Sequence, residues 1–188
     1  MPRLALHLLG SFHISLDEEP VTGFESDKVR ALLAYLAVES VTPHRRSTLT
    51  SLLWPEQSEK SARHNLSQAL YNLRRSLSNN TTLTHTNTDY VVADNQTIQF
   101  NLASNHDVDV LAFTTLISAS NQHHHQKLET CNGCLTQLRR AVNLYNGDFL
   151  AGFGIRDSSP FEEWRTLTQE RLHRQMVTNN PPTIERQL

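Results

Sequence analysis

Residues 58–77, SEKSARHNLSQALYNLRRSL, read at a helical period: Leu66, Leu70, Leu73 and Leu77 share one apolar stripe. His64, Gln68, Tyr71 and Arg75 fall on roughly the opposite face, flanked by Arg63, Asn65, Ser67, Asn72 and Arg74. Ser58 is placed to cap the first turn, and Glu59 suits the positive end of the helix. An outer face of amide, imidazole, phenol and guanidinium groups holds what is needed to read base edges and grip phosphates in a major groove. The same face also suits an ordinary solvated surface helix. The neighbouring elements decide between the two.

Upstream, Leu49, Leu52, Leu53 and Trp54 are the apolar residues of a short helix that Pro55 ends, since proline lacks the N–H and its ring clashes with the preceding turn. Before it, the loop SVTPHRR follows a helix DKVRALLAYLAVE, capped by Ser26, with Val29, Leu32, Leu33 and Leu36 on its apolar side. Two helices, a tight connection and a third amphipathic helix with a polar outer face make a helix-turn-helix pattern. Still earlier, residues 3–24 read as strands. Leu4, Leu6 and Leu8 alternate with their neighbours, then Phe12, Ile14 and Leu16 do the same. A polar turn is expected at Asp17-Glu18-Glu19-Pro20, with a short return strand at 21–24. His7 and His13 are expected on the solvent face.

Downstream, SNNTT is a loop, and LTHTNTDYVVADNQTIQFNL reads as strands at Leu83, at 90–92 and at 98–102. Ala93-Asp94-Asn95 suits the turn of a hairpin between the last two.

Composition bounds the reading. The chain has 188 residues, 38% hydrophobic and 19% charged, with a formal net charge of −2. Bulk charge therefore cannot drive nucleic-acid binding, and any such contact must come from a local patch. Residues 40–77 supply one: Arg45, Arg46, Lys60, Arg63, Arg74 and Arg75 face only Glu56 and Glu59, a surplus of four positive charges. No apolar run reaches membrane-spanning length, and MPRLALHLLG is too short and too strand-like for a signal peptide. With only Cys131 and Cys134 there is no disulfide framework, so the expected compartment is the reducing cytoplasm.

The segments LLGSFHISLDEEPV, DKVRALLAYLAV, LTSLLWPE and SARHNLSQALYNLRRSL, in this order, resemble the OmpR-type winged-helix domain. The wording is closest to that of bacterial activators of the SARP type (Streptomyces antibiotic regulatory proteins). The resemblance implies that 58–77 is a recognition helix in the major groove of double-stranded DNA, that the preceding helix and loop approach the backbone or a partner, and that the hairpin is a wing. Phosphate contacts are expected from Arg45, Arg46, Arg63, Arg74 and Arg75, and base contacts from His64, Asn65, Gln68, Tyr71 and Asn72. The wing departs from the pattern: residues 86–96 carry two acids and no Lys or Arg.

From Asn105 the texture turns helical. HDVDVLAFTTLISAS carries Val108, Leu111, Phe113, Leu116 and Ile117. CLTQLRRAVNLYNGDFLAGF spaces Leu135, Leu138, Val142 and Tyr145, with Asn146-Gly147 as the stop. After a loop holding Gly152, Gly154 and Pro160, FEEWRTLTQERLHRQMV brings Phe161, Trp164, Leu167, Leu172 and Met176. VDVLAF, LRRAVNLYNGDFLAGF and FEEWRTLTQERLHR resemble the start of the bacterial transcriptional activator domain, a TPR-like helical repeat. The expected fold is thus an α+β winged helix-turn-helix domain at 1–103, followed at 104–188 by an all-α, TPR-like segment that is incomplete. Stacked repeats need neighbours to bury their faces, so the helical part is expected to dock on the winged helix or to self-associate. The resemblance implies a transcriptional activator that engages RNA polymerase and binds DNA as a homodimer. A protein-interaction module without tight DNA binding is the competing expectation, favoured by the acidic wing and the near-neutral charge. No nucleophile elbow, phosphate loop or paired carboxylates point to an enzyme, and the glycines of GDFLAGFG lack the Lys-Ser/Thr of a phosphate loop.

One cluster stands apart. His123, His124 and His125 precede Cys131-x-x-Cys134, whose thiols share one face of a helical first turn that favours thiolate. Two sulfurs and one or two imidazoles, His123 and His125 foremost, form the donor set zinc prefers. A structural zinc ion, an incidental polar loop and a redox CxxC all remain open on sequence alone, and no cofactor is otherwise required.

Overall fold

The computed structural model describes residues 2–78, 90–123 and 131–179. Strand β1 (Leu4–His7) pairs antiparallel with β2 (His13–Leu16), His7 opposite His13. Both imidazoles are exposed, as the alternation predicts, while Leu4, Leu6, Ile14 and Leu16 face inward. Asp17 and Glu18 have φ of 48° and 71°, so two positive-φ residues close the hairpin at once. The return strand β3 is consequently Glu19–Pro20, earlier than the expected strand at 21–24. Pro20 is tolerated there because β3 is an edge.

Helix α1 (Asp27–Val38) buries Val29, Leu32, Leu33 and Leu36, and also Ala31, Ala34 and Ala37. It is covered on most sides, which is why small residues fill the positions between the leucines. Ser26 holds the N-cap place with extended backbone, but its side chain makes no cap bond. β4 (His44–Arg45) and α2 (Arg46–Leu53) follow, with α2 burying Leu49 and Leu53. The loop expected before α2 thus contains a two-residue strand. α3 (Glu59–Leu77) packs on α1 and α2 through Leu66, Leu70, Leu73 and Leu77. β5 (Val91–Ala93) and β6 (Thr97–Phe100) form an antiparallel hairpin, and β4 completes a sheet of order β4-β6-β5. The strand expected at Leu83 lies outside the described residues.

The next segment departs from the helical expectation. His106–Val108 is a strand, β7, pairing parallel with β1 and giving a sheet of order β3-β2-β1-β7. Only at Asp109 does the chain turn into α4 (Asp109–Gln122). Asp109 explains the switch: it is buried, and its carboxylate accepts N–H bonds from Leu8 and Leu9, just past β1, at 2.7 and 2.8 Å, and from Val110 at 2.7 Å. One side chain thereby satisfies backbone donors that β1 and the helix start would otherwise leave unpaired. α5 (Asn132–Leu144) packs along α4, and α6 (Ser159–Asn179) contacts α2. Pro160, expected in a loop, sits in the first turn of α6, where its missing N–H costs nothing.

The expected boundary at 103/104 falls between β6 and β7, and a single apolar cluster runs through both sides of it, from Leu4 to Leu172. The GDFLAGFG segment stitches them: Leu9 pairs with Phe149 and Ser11 with Ala151, and Leu150 N–H donates to Leu8 O at 2.8 Å. Gly10 takes a φ of 119°, which favours glycine, and a Cβ on Gly147 would stand a tight 3.3 Å from the Gly10 Cα. Ser158 Oγ caps α6 by accepting the Phe161 N–H and donates to Leu52 O on α2. The Arg30 guanidinium lies 5.0 Å from the Phe12 ring centre and 4.7 Å from that of Phe153. The helical part is docked, as the bare apolar faces of its few helices require.

Candidate nucleic-acid interface

The leucine stripe of α3 faces α1 and α2, so its period leaves the other side of the helix outward. Ser58 Oγ accepts the Ser61 N–H at 3.3 Å, which makes it the cap the sequence suggests. From there Lys60, His64, Ser67, Gln68, Tyr71 and Arg75 stand exposed along one side of the helix, with Arg63 and Arg74 beside them. Tyr71 is 63% exposed, far more than is usual for an aromatic side chain. Lys60 and Ser67 were not among the expected contacts, yet they share this face. The spacing 60, 64, 67, 71 was enough to find them.

Not every expected residue joins them. Asn72 is 3% exposed, and its Oδ1 accepts the Glu25 N–H at 3.1 Å. It belongs to the packing between α3 and the segment before α1, and its expected role in base reading is corrected. It lies on the flank of the leucine stripe that the segment before α1 covers, and a polar residue is tolerated there because a backbone donor meets it. Asn65 is half-buried and donates Nδ2–H to Gln57 Oε1 at 2.5 Å, which steadies the link before α3. Arg63 pairs with Glu59 at 2.6 Å, both side chains well exposed. Such a pair is worth under about 1 kcal/mol and yields readily to a phosphate.

Two of the other arginines, Arg46 and Arg74, are tied to the hairpin. Arg46 N–H donates to Gln96 O at 2.9 Å, and its Nε donates to Asp94 O at 3.0 Å. Arg74 Nη2 donates to Val91 O at 3.2 Å while its side chain stays exposed. Arg45 is exposed at the start of α2. The charge surplus therefore lies along α3 and the start of α2, and the hairpin leans on it. At the hairpin tip Asp94 takes N–H bonds from Thr97 at 2.6 Å and Gln96 at 2.7 Å. Those two donors, and more weakly the Thr97 hydroxyl and Arg46, hold its carboxyl below the usual range. This acid is spent on turn geometry.

The histidine–cysteine cluster lies elsewhere, at the junction of α4 and α5. Cys131 is the N-cap of α5 and Cys134 is buried in its first turn, while His123 is the C-cap of α4. His123 Nδ1 is 3.2 Å from Cys134 Sγ and 3.5 Å from Cys131 Sγ, and neither cysteine is in a disulfide. Backbone N–H of Cys134, then the Cys134 thiol, pull the Cys131 thiol down, whereas burial pushes Cys134 up. His125 lies outside the described residues.

Among the described residues, no helix is long and apolar enough to cross a membrane. No protein-family model matches the chain, and no curated protein sequence matches it. Among solved structures it is similar to Mycobacterium tuberculosis EmbR, determined in complex with a low-affinity phosphopeptide, with a TM-score of 0.70 and 22% identity. The match covers 95% of this chain and 45% of that one. This chain thus has the fold of a part of EmbR over nearly its whole length, while spanning less than half of that protein.

Proposed function

We propose that the chain is a sequence-specific DNA-binding transcriptional regulator, an activator of the winged helix-turn-helix type, with α3 in the major groove. The observation that carries this reading is the outward face of α3, where Lys60, His64, Gln68, Tyr71 and Arg75 stand exposed while the leucines of the same helix are buried. Gln68 is suited to adenine and His64 to a base-edge acceptor or donor, and Arg63, Arg75 and Arg45 to phosphates on either side of the groove. Arg46 and Arg74 position the β5–β6 hairpin as a wing, and Asp94 keeps that wing from making a strong phosphate contact of its own. The EmbR-like fold supports a regulator, and the resemblance to SARP-type proteins supports a homodimer on repeated sites and contact with RNA polymerase by the helical part. In this reading the chain is not an enzyme, acts in the cytoplasm and needs no cofactor to bind DNA.

The test is a salt titration with duplex DNA. If α3 and the start of α2 neutralise about four to six phosphates, the log–log slope of affinity against salt is roughly −4 to −5. A slope near zero overturns the reading. It would promote the competing one, a protein-interaction module, which the net charge of −2 and the acid at the hairpin tip favour.

A further inference from the structure

We infer that Cys131, Cys134 and His123 bind a zinc ion that clips the end of α4 to the start of α5. The three residues come from two different helices, and their donor atoms all lie within 4.8 Å of one another. Tetrahedral zinc, with Zn–S about 2.3 Å and Zn–N about 2.0–2.1 Å, places nitrogen and sulfur about 3.6 Å apart. His123 Nδ1 stands 3.5 Å from Cys131 Sγ and 3.2 Å from Cys134 Sγ, so both nitrogen–sulfur edges are within a few tenths of an ångström of that value. A neutral imidazole and two thiolates are the borderline-soft donors that select zinc over magnesium or calcium.

The helix geometry explains why the site forms there. Cysteines at the N-cap and in the first turn of one helix project together, as i and i+3 positions do. His123 ends α4 with extended backbone, and its ring turns back onto that first turn. Cys134 is buried and Cys131 half-buried, while His123 is exposed. A tetrahedral shell takes its fourth ligand from beyond these three side chains. Because the unfolded chain has no preformed site, zinc binding adds to the stability of the α4–α5 pair. This is separate from the DNA-binding reading and survives its failure.

The experiment uses the full chain, produced without a histidine tag. Elemental analysis should find one zinc per chain, and a strong chelator should lower the melting temperature. Cys131→Ser with Cys134→Ser should remove both the zinc and the chelator effect. His123→Ala should weaken zinc binding by at least about ten-fold, since even partners outside the ligand shell contribute that much. Should the cysteine variant fail to fold, cobalt substitution of the unmutated chain decides. Tetrahedral visible bands with a thiolate-to-cobalt charge-transfer band are expected, the visible bands shifting in His123→Ala. Absence of zinc and of cobalt bands, with both thiols freely titratable, overturns the proposal. A Cys131–Cys134 disulfide as the resting form in reducing buffer would also overturn it, in favour of redox chemistry.

Discussion

Trp164 donates its indole Nε1–H to Glu39 Oε1 at 3.0 Å, joining α6 to the residue that caps the end of α1 across 125 positions of sequence. The ring sits 5.0 Å from that of Tyr35 and 5.3 Å from that of Phe161, and it meets Phe149 edge-on at 5.6 Å. The docking of the helical part therefore rests on an aromatic cluster with one polar tether. Trp164→Phe should keep the cluster and lose the tether, costing about 1–2 kcal/mol. Trp164→Ala should cost about 3 kcal/mol, at the low end for tryptophan because the side chain is only half-buried. Urea denaturation followed by circular dichroism reads both. The unmutated chain should melt in one transition, and two separated transitions would contradict a shared core.

Asp109 gives a prediction with a pH sign. Burial raises its carboxyl pKa, outweighing the three N–H bonds and the nearby His7 that lower it. The folded chain therefore holds this proton at pH values where the unfolded chain has lost it. Asp109's contribution to stability falls as pH rises from the ordinary carboxylate value to its raised folded value, and is constant above that. Asp109→Ala leaves the N–H groups of Leu8, Leu9 and Val110 without their acceptor, at a cost of about 3 kcal/mol. The gap between the unmutated chain and the variant should narrow as pH rises through that window. Chemical denaturation at a series of pH values checks it, and a gap that widens would contradict the direction.

These two residues also mark how far the sequence could be read. The leucine periods of α1 and α3, the alternation in β1 and β2, and Ser58 as a cap were all legible, because each depends on residues within one or two turns of one another. Asp109 was not. Nothing in HDVDVLAF says that its first residues pair with a strand a hundred positions earlier, and the local pattern suits a helix equally well. The same limit hid the inner role of Asn72, since an amide reads as an exposed group until a backbone donor, here Glu25 N–H, is brought to it. The GDFLAGFG glycines were visible, but the close approach of Gly147 to Gly10 belongs to tertiary structure.

Tyr145 carries a buried hydroxyl with no hydrogen-bond partner among the described residues. Its ring is useful, standing 5.8 Å from Phe113 between α4 and the end of α5. Burial, and then the charge of Asp148, keep its phenol pKa above the usual value, so it is neutral throughout the physiological range. Tyr145→Phe removes only the unsatisfied oxygen. It should be neutral or stabilise the fold by up to about 1 kcal/mol, and a melting temperature several degrees lower would show that the hydroxyl has a partner.

Gln68 and Asn72 are the same kind of side chain one turn apart on α3, one exposed and one buried, and they separate recognition from packing. Gln68→Ala removes no contact that holds the fold, so stability should stay within about 0.5 kcal/mol. If α3 reads bases, the variant should lose on the order of 1–3 kcal/mol at the preferred site and much less on random DNA. Asn72→Ala should do the reverse. It strips the Glu25 N–H of its acceptor, costing about 1–3 kcal/mol of folding stability, and leaves the ratio of preferred to random binding unchanged. Arg75→Ala should weaken all DNA alike and flatten the salt slope by about one, as loss of a phosphate contact does. Anisotropy titrations of the three variants on one preferred and one scrambled duplex, paired with their melting curves, give all of these values. Asn72→Ala altering sequence preference while folding stability held would place it on the DNA-reading face and refute its burial.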